Sequence, residues 1–169
     1  MANKGTVIIY TDGGCSPNPG PGGWAALLQF GDHKKLISGS YKNTTNNRME
    51  ITAIIKAFEC LNHNKCRLRI YTDSRYVSDA INKGWLQKWQ QVGWRKSGRE
   101  PVKNKALWQQ ILAHINDHQV EFYWVKAHAG ISGNETVDMA ATQARETKRG
   151  WETDAPYQQE LDQENLHDS

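Results

Sequence analysis

The tetrapeptide Ile-Tyr-Thr-Asp occurs twice, at 9–12 and at 70–73. Each copy closes an apolar run, VIIYTD at 7–12 and LRIYTD at 68–73, with the length and β-branched content of a buried strand. Between them, WAALLQF at 24–30 and KLISGSY at 35–41 flank Gly31-Asp32, a spacing that predicts an antiparallel meander with a tight hairpin. RMEITAIIKAFECL at 48–61 then changes period: Ile51, Ile54, Ile55, Phe58 and Leu61 fall at helical spacing. If that helix is a crossover, the two echoing strands are parallel neighbours. Asp12 and Asp73 then leave the same, carboxyl, edge of the sheet, where open α/β sheets place ligands.

Helical patterns follow at 74–82, 105–117 and 134–145, with a strand at 120–125. The predicted order is β-β-β-α-β-α-α-β-α. The fold class is α/β: a mixed five-stranded sheet, three antiparallel strands then parallel ones, flanked by helices. With 169 residues and no internal repeat, one domain is expected.

The net charge of +3 hides a division. All 21 Lys and Arg lie at or before Arg149 together with 12 of the 18 acids, leaving +9 on residues 1–149 and −6 on 150–169. The first part predicts a basic domain, residues 1–149, with a polyanionic partner, and the second, 150–169, a polar, mobile acidic tail. Mean hydropathy is −0.75; no apolar run approaches the roughly 20 residues of a membrane span, and the N-terminus MANKGT has no apolar signal core. Three cysteines, without C-x-x-C, argue against a disulfide framework or zinc ribbon and for a reducing compartment, hence a cytoplasmic protein.

Two more acids join the strand-end pair. Glu50 lies in the first turn of its helix and points to the buried flank, and Asp138 lies in the first turns of the last helix. Each has an ordinary explanation. Asn47-x-x-Glu50 is a capping-box pattern, Asp73 is a good N-cap, Asp12 opens a turn, and Ser132-Gly133-Asn134 caps the helix that carries Asp138. Together they form an all-carboxylate set, suited to Mg²⁺ or Mn²⁺ rather than zinc. Four acids fit a pair of ions, as in two-metal phosphodiester displacement. A metal-free structural protein would leave those charges uncompensated.

Six stretches carry a resemblance: YTDGGCSPNPGPGGW, TTNNRMEITA, IYTDSRYV, GWLQKWQQVGW, REPVKN…LW and WVKAHAGISGNETVDMAA. In this order, over residues 5 to about 148, the chain resembles the bacterial type 1 ribonucleases H (ribonuclease HI). The resemblance implies hydrolysis of the RNA strand of RNA–DNA hybrids, without strong sequence specificity, to 5′-phosphate and 3′-hydroxyl ends. It implies metal-binding acids Asp12, Glu50, Asp73 and Asp138, and a mobile His128 that either moves a proton or helps product and metal leave. It places Cys15, Asn18, Asn46, Asn47 and Arg75 in the minor groove of the hybrid. Trp85 and Ser74 would line a channel for the DNA strand, and Thr45 and Asn104 would hold a DNA phosphate. Lys88 and Trp89 belong to a basic protrusion that grips substrate; a Trp ladder at this spacing also serves packing. A monomer is implied. The chain departs from the pattern at Gln90-Gln91-Val92, Asn43 and Ala127, which bears on affinity rather than on the metal ligands. A non-catalytic hybrid-binding module and a transposase- or resolvase-type nuclease are the competing readings; the intact acid set and the C-S-P-N, N-N-R-M-E and H-A-G stretches favour the hybrid nuclease.

Overall fold

In the computed structural model, residues 5–62, 65–96, 100–127 and 129–167 are described. The elements are β1 (Thr6–Cys15), β2 (Gly20–Phe30), β3 (His33–Thr44), α1 (Asn46–Glu59), β4 (Arg67–Thr72), α2 (Arg75–Asn82), α3 (Trp85–Gln91), α4 (Lys105–Asp117), β5 (Gln119–Trp124), α5 (Ser132–Thr147) and α6 (Ala155–His167). The sheet order is β3-β2-β1-β4-β5. β1 pairs antiparallel with β2 and parallel with β4, and β5 continues parallel. The mixed five-stranded sheet of the sequence analysis is thus the observed one, with α3 and α6 as two helices beyond the predicted set.

The main core lies between one face of the sheet and helices α1, α2 and α4: Ile9, Ile54, Phe58, Leu68, Ile70, Val77, Trp108 and Ile111 are buried there. α5 covers the opposite face over β1 and β2, where Ala25 and Leu27 meet Val137 and Ala141. Two indoles of the Trp-rich segment, Trp89 and Trp94, join the main core: Trp89 stands 6.4 Å from Trp94 and 6.1 Å from Trp108 of α4, ring centre to ring centre.

Two local expectations change. First, β1 runs on past Asp12 to Cys15, with Asp12 opposite Ala25 and Gly14 opposite Gly23. The bare stretch is therefore strand, and only residues 16–19 turn. Gly13 shows why a side chain is missing: a Cβ there would overlap the Met49 carbonyl and stand 2.8 Å from the Glu50 nitrogen. The start of α1 lies directly on the β1 backbone.

Second, the acidic segment is not a free extension. Glu152 pairs with the edge of β3, its carbonyl accepting from Lys42 N at 2.8 Å and its own N–H donating to Ser40 O at 3.2 Å. Asp154, 6% exposed, accepts from Arg48 Nε at 2.7 Å and Nη2 at 2.8 Å, and from Thr44 Oγ1 at 2.7 Å. Arg48 is fully buried. A buried guanidinium requires a counter-charge, and among the described residues Asp154 of the acidic segment provides it.

Candidate active site

The two Ile-Tyr-Thr-Asp segments lie side by side: Ile9 pairs with Ile70, Tyr10 with Tyr71 and Thr11 with Thr72. The next residues, Asp12 and Asp73, therefore emerge together at the carboxyl edge. Glu50 arrives from α1. Its Oε1 accepts from Gly13 N at 2.9 Å and its Oε2 from Thr72 Oγ1 at 3.3 Å. The ordinary explanations for these acids fall to their neighbours. Thr45, not Asn47, caps α1, accepting from Arg48 N, and Ser74, not Asp73, caps α2, accepting from Val77 N. α5 starts at Ser132 with no side-chain cap, so Asp138 sits in its second turn. With α1 and α2 capped by Thr45 and Ser74, Glu50 and Asp73 are left for other work.

One oxygen each from Asp12, Glu50 and Asp73 fall within 4.8 Å of one another. Asp138 is outside that trio but hydrogen-bonds the Asp12 side chain. Burial, followed by the charges of Asp73 and Asp138, pushes the Asp12 carboxyl up to about 7, against a lowering hydrogen bond from Glu50. Glu50 is raised well above the usual range by burial first and then by Asp12. Crowded carboxylates of this kind share protons when no cation is present. The donor set is all oxygen and all acidic, which fits a hard divalent ion such as Mg²⁺. The cleft above them, about 400 Å³, is also lined by Gly14, Cys15, Gly23, Asn46, Asn47, Ser74, Ala141, Thr142 and Arg145.

Comparison with known proteins decides the lineage. The RNase H family model matches residues 4–146. A ribonuclease H of Bradyrhizobium diazoefficiens is 49% identical over 141 residues, covering 83% of this chain and 90% of that protein. Ribonuclease HI of Rickettsia conorii is 50% identical, covering 83% and 91%. Among solved structures, LC9-RNase H1, described as a type 1 RNase H with the type 2 active-site motif, is 33% identical with a TM-score of 0.76, covering 88% of this chain and 75% of that one. The chain belongs to the ribonuclease H family. It is accordingly an endoribonuclease, a hydrolase of RNA phosphodiester bonds.

Around the ribonuclease H cleft, the expected substrate residues take distinct places. Cys15, Asn46, Asn47 and Ser74 line it. Asn46 Oδ1 accepts from Cys15 N at 2.6 Å, and Asn18 Oδ1 accepts from Asn46 N at 3.1 Å, which ties the hairpin to α1. Burial pushes the Cys15 thiol up to about 12, so it stays protonated and is no nucleophile. Asn104 lies away from the acids; its Oδ1 accepts from Arg48 Nη1 at 3.0 Å and its Nδ2 donates to Tyr76 Oη at 3.1 Å. Thr45 is the N-cap of α1. Trp85 is 37% exposed and Lys88 is exposed, whereas Trp89 packs inward. His128 lies outside the described residues.

Sequence reasoning missed three neighbours of the site. Thr72 backs Glu50. Trp124 donates from Nε1 to Asp73 O at 3.0 Å and carries the Arg75 guanidinium over its ring at 3.7 Å. Arg145 lines the cleft. Only the last left a usable signal: it follows Asp138 by seven residues, two helical turns on the same face.

Proposed function

We propose that this protein hydrolyses the RNA strand of RNA–DNA hybrids, with a pair of Mg²⁺ ions, replaceable by Mn²⁺, held by Asp12, Glu50, Asp73 and Asp138. The observation that carries the reading is the convergence of Asp12, Glu50 and Asp73 oxygens within 4.8 Å beside a hairpin whose backbone is open to a ligand. Membership of the RNase H family supports it. Bound ions would supply Lewis-acid charge and a more acidic water. The protein's part is to position the acids for the ions, whose charge would favour their deprotonated forms, and to orient the strand. Gly13 N and Thr72 Oγ1 fix Glu50, and Trp124 fixes the Asp73 backbone. Water attacks phosphorus, and the products carry 5′-phosphate and 3′-hydroxyl ends. His128 carries a proton or aids release of product.

Cys15, Asn18, Asn46, Asn47 and Arg75 meet the 2′-hydroxyls in the minor groove of the hybrid, which separates RNA from DNA without reading bases. Ser74 and Trp85 border the DNA strand, Thr45 and Asn104 hold one of its phosphates, and Lys88 and Trp89 belong to the basic protrusion. Residues 1–149 form the catalytic domain, which acts as a cytoplasmic monomer. No helix among the described residues is long and apolar enough to cross a membrane.

The test compares labelled RNA–DNA hybrid, RNA duplex, DNA duplex and single-stranded RNA, each with Mg²⁺ and with EDTA. Cleavage confined to the RNA of the hybrid, and abolished by EDTA, is expected. Equal cleavage of all four, or cleavage in EDTA, would refute the reading.

A further inference from the structure

The cleft is not acidic throughout. Its wall on α5 begins at Asp138, continues through Ala141 and Thr142, and ends at Arg145, a spacing that puts all four on one helical face. Seven residues of helix separate the two charged groups by about 10 Å. Gly23 is what seats Arg145 there. A Cβ on Gly23 would overlap the Ala141 carbonyl oxygen and stand 3.0 Å from both the Arg145 nitrogen and its Cβ. α5 therefore rests directly on β2, and Arg145 is brought against the glycine hairpin instead of standing in open water.

Arg145 is half-buried, and among the described residues its guanidinium has no ion-pair or hydrogen-bond partner. It contrasts with Arg48, whose charge is matched by Asp154. Its field reaches the hairpin: it opposes the effect of burial on the Cys15 thiol more strongly than any other group. A partly desolvated guanidinium without a counter-charge is an anion site, and its planar fork suits phosphate oxygens. The carboxylates at the other end repel phosphate unless cations cover them, so a strand crossing the cleft meets two cationic stations, the metal cluster and Arg145.

The geometry points to Arg145 as a binding residue for a phosphate of the RNA strand, adjacent to the scissile phosphate or one further along. The inference rests on the hybrid-cleavage reading above. It adds a contact on the α5 wall of the cleft that Asn46 and Asn47 also line.

The test uses the full chain with Mg²⁺ and hybrid, as Arg145→Gln, Arg145→Lys and, as a charge-matched control at the far end of the β2–β3 hairpin, Lys34→Gln. Arg145→Gln should raise KM about fivefold to twentyfold with kcat within about twofold, and lower the salt slope of binding by about one. Arg145→Lys should recover part of the loss and Lys34→Gln should match the parent. Hybrids with a single uncharged methylphosphonate, scanned along the RNA strand, supply the second readout. One position near the scissile bond should weaken the parent and leave Arg145→Gln indifferent. An unchanged KM in Arg145→Gln, or identical methylphosphonate profiles for parent and variant, overturns the assignment. Should Arg145→Gln fold poorly, the parent's own scan decides: no sensitive RNA-strand position near the scissile bond refutes it. A parent inert toward hybrid would instead sink the underlying reading.

Discussion

Asp12 is drawn out of water on β1, 8% exposed, with Glu50, Asp73 and Asp138 around it. Its carboxyl is raised to about 7, so the metal-free folded state holds a proton that the unfolded chain releases near pH 4. The sign follows from linkage: this contribution to stability is fully present below about pH 4 and is lost as pH rises through about 7. We therefore expect Mg²⁺ to raise the melting temperature more at pH 8 than at pH 5.5, and Asp12→Asn to remove most of that difference. Thermal melts of parent and variant with and without Mg²⁺ measure it; an equal Mg²⁺ increment at both pH values would contradict it. Asp12→Asn should also lower hybrid cleavage by at least about a hundredfold while keeping the fold, as should Asp73→Asn. Circular dichroism beside a gel assay separates the two effects.

Elements meet at the site because particular contacts let them approach. α1 lies on β1 at Gly13, and α5 lies on β2 at Gly23. Gly13→Ala forces its Cβ into the Met49 carbonyl, pushing the start of α1 and with it Glu50 away from β1. A loss of about 1–3 kcal/mol of stability is expected, with a fall in cleavage larger than melting explains. Urea denaturation and activity at a temperature where the variant is folded test this, and full activity in the folded variant would count against the packing argument. The strands, helix α1 and their pairing were legible beforehand, since the Ile-Tyr-Thr-Asp echo and the helical run carry their own periodicity. The job of each acid was not. Asn47 and Asp73 matched capping patterns, yet Thr45 and Ser74 do the capping, because several neighbouring polar residues suit a helix start equally and tertiary contacts choose between them.

At the scale of the whole molecule, the chain folds its acidic end back onto its basic body. Asp154 and Arg48 are separated by 106 residues and share a bidentate pair, with Glu160 3.6 Å from Arg48 Nη1. Removing one partner strands a fully buried cation. Asp154→Asn is expected to cost about 3–5 kcal/mol in urea unfolding, and ending the chain at Arg149 should cost as much; a loss under about 1 kcal/mol would refute the clamp. The remaining excess of Lys and Arg predicts that hybrid binding weakens steeply with salt, by about 10³-fold between 50 and 200 mM if six phosphates are contacted. Filter binding across that range checks it, and a flat dependence would remove the basic face from the account.

The sequence alone determined the succession of strands and helices along the chain and the crossover that sets Asp12 beside Asp73, since periodicity is written locally. Only the tertiary structure decided that Glu50 reaches across to Gly13, that Arg48 takes its counter-charge from Asp154, and that Arg145 stands in the cleft. These depend on which charges lose water when distant segments close on one another, and desolvation is a property of the packed molecule rather than of any stretch of chain.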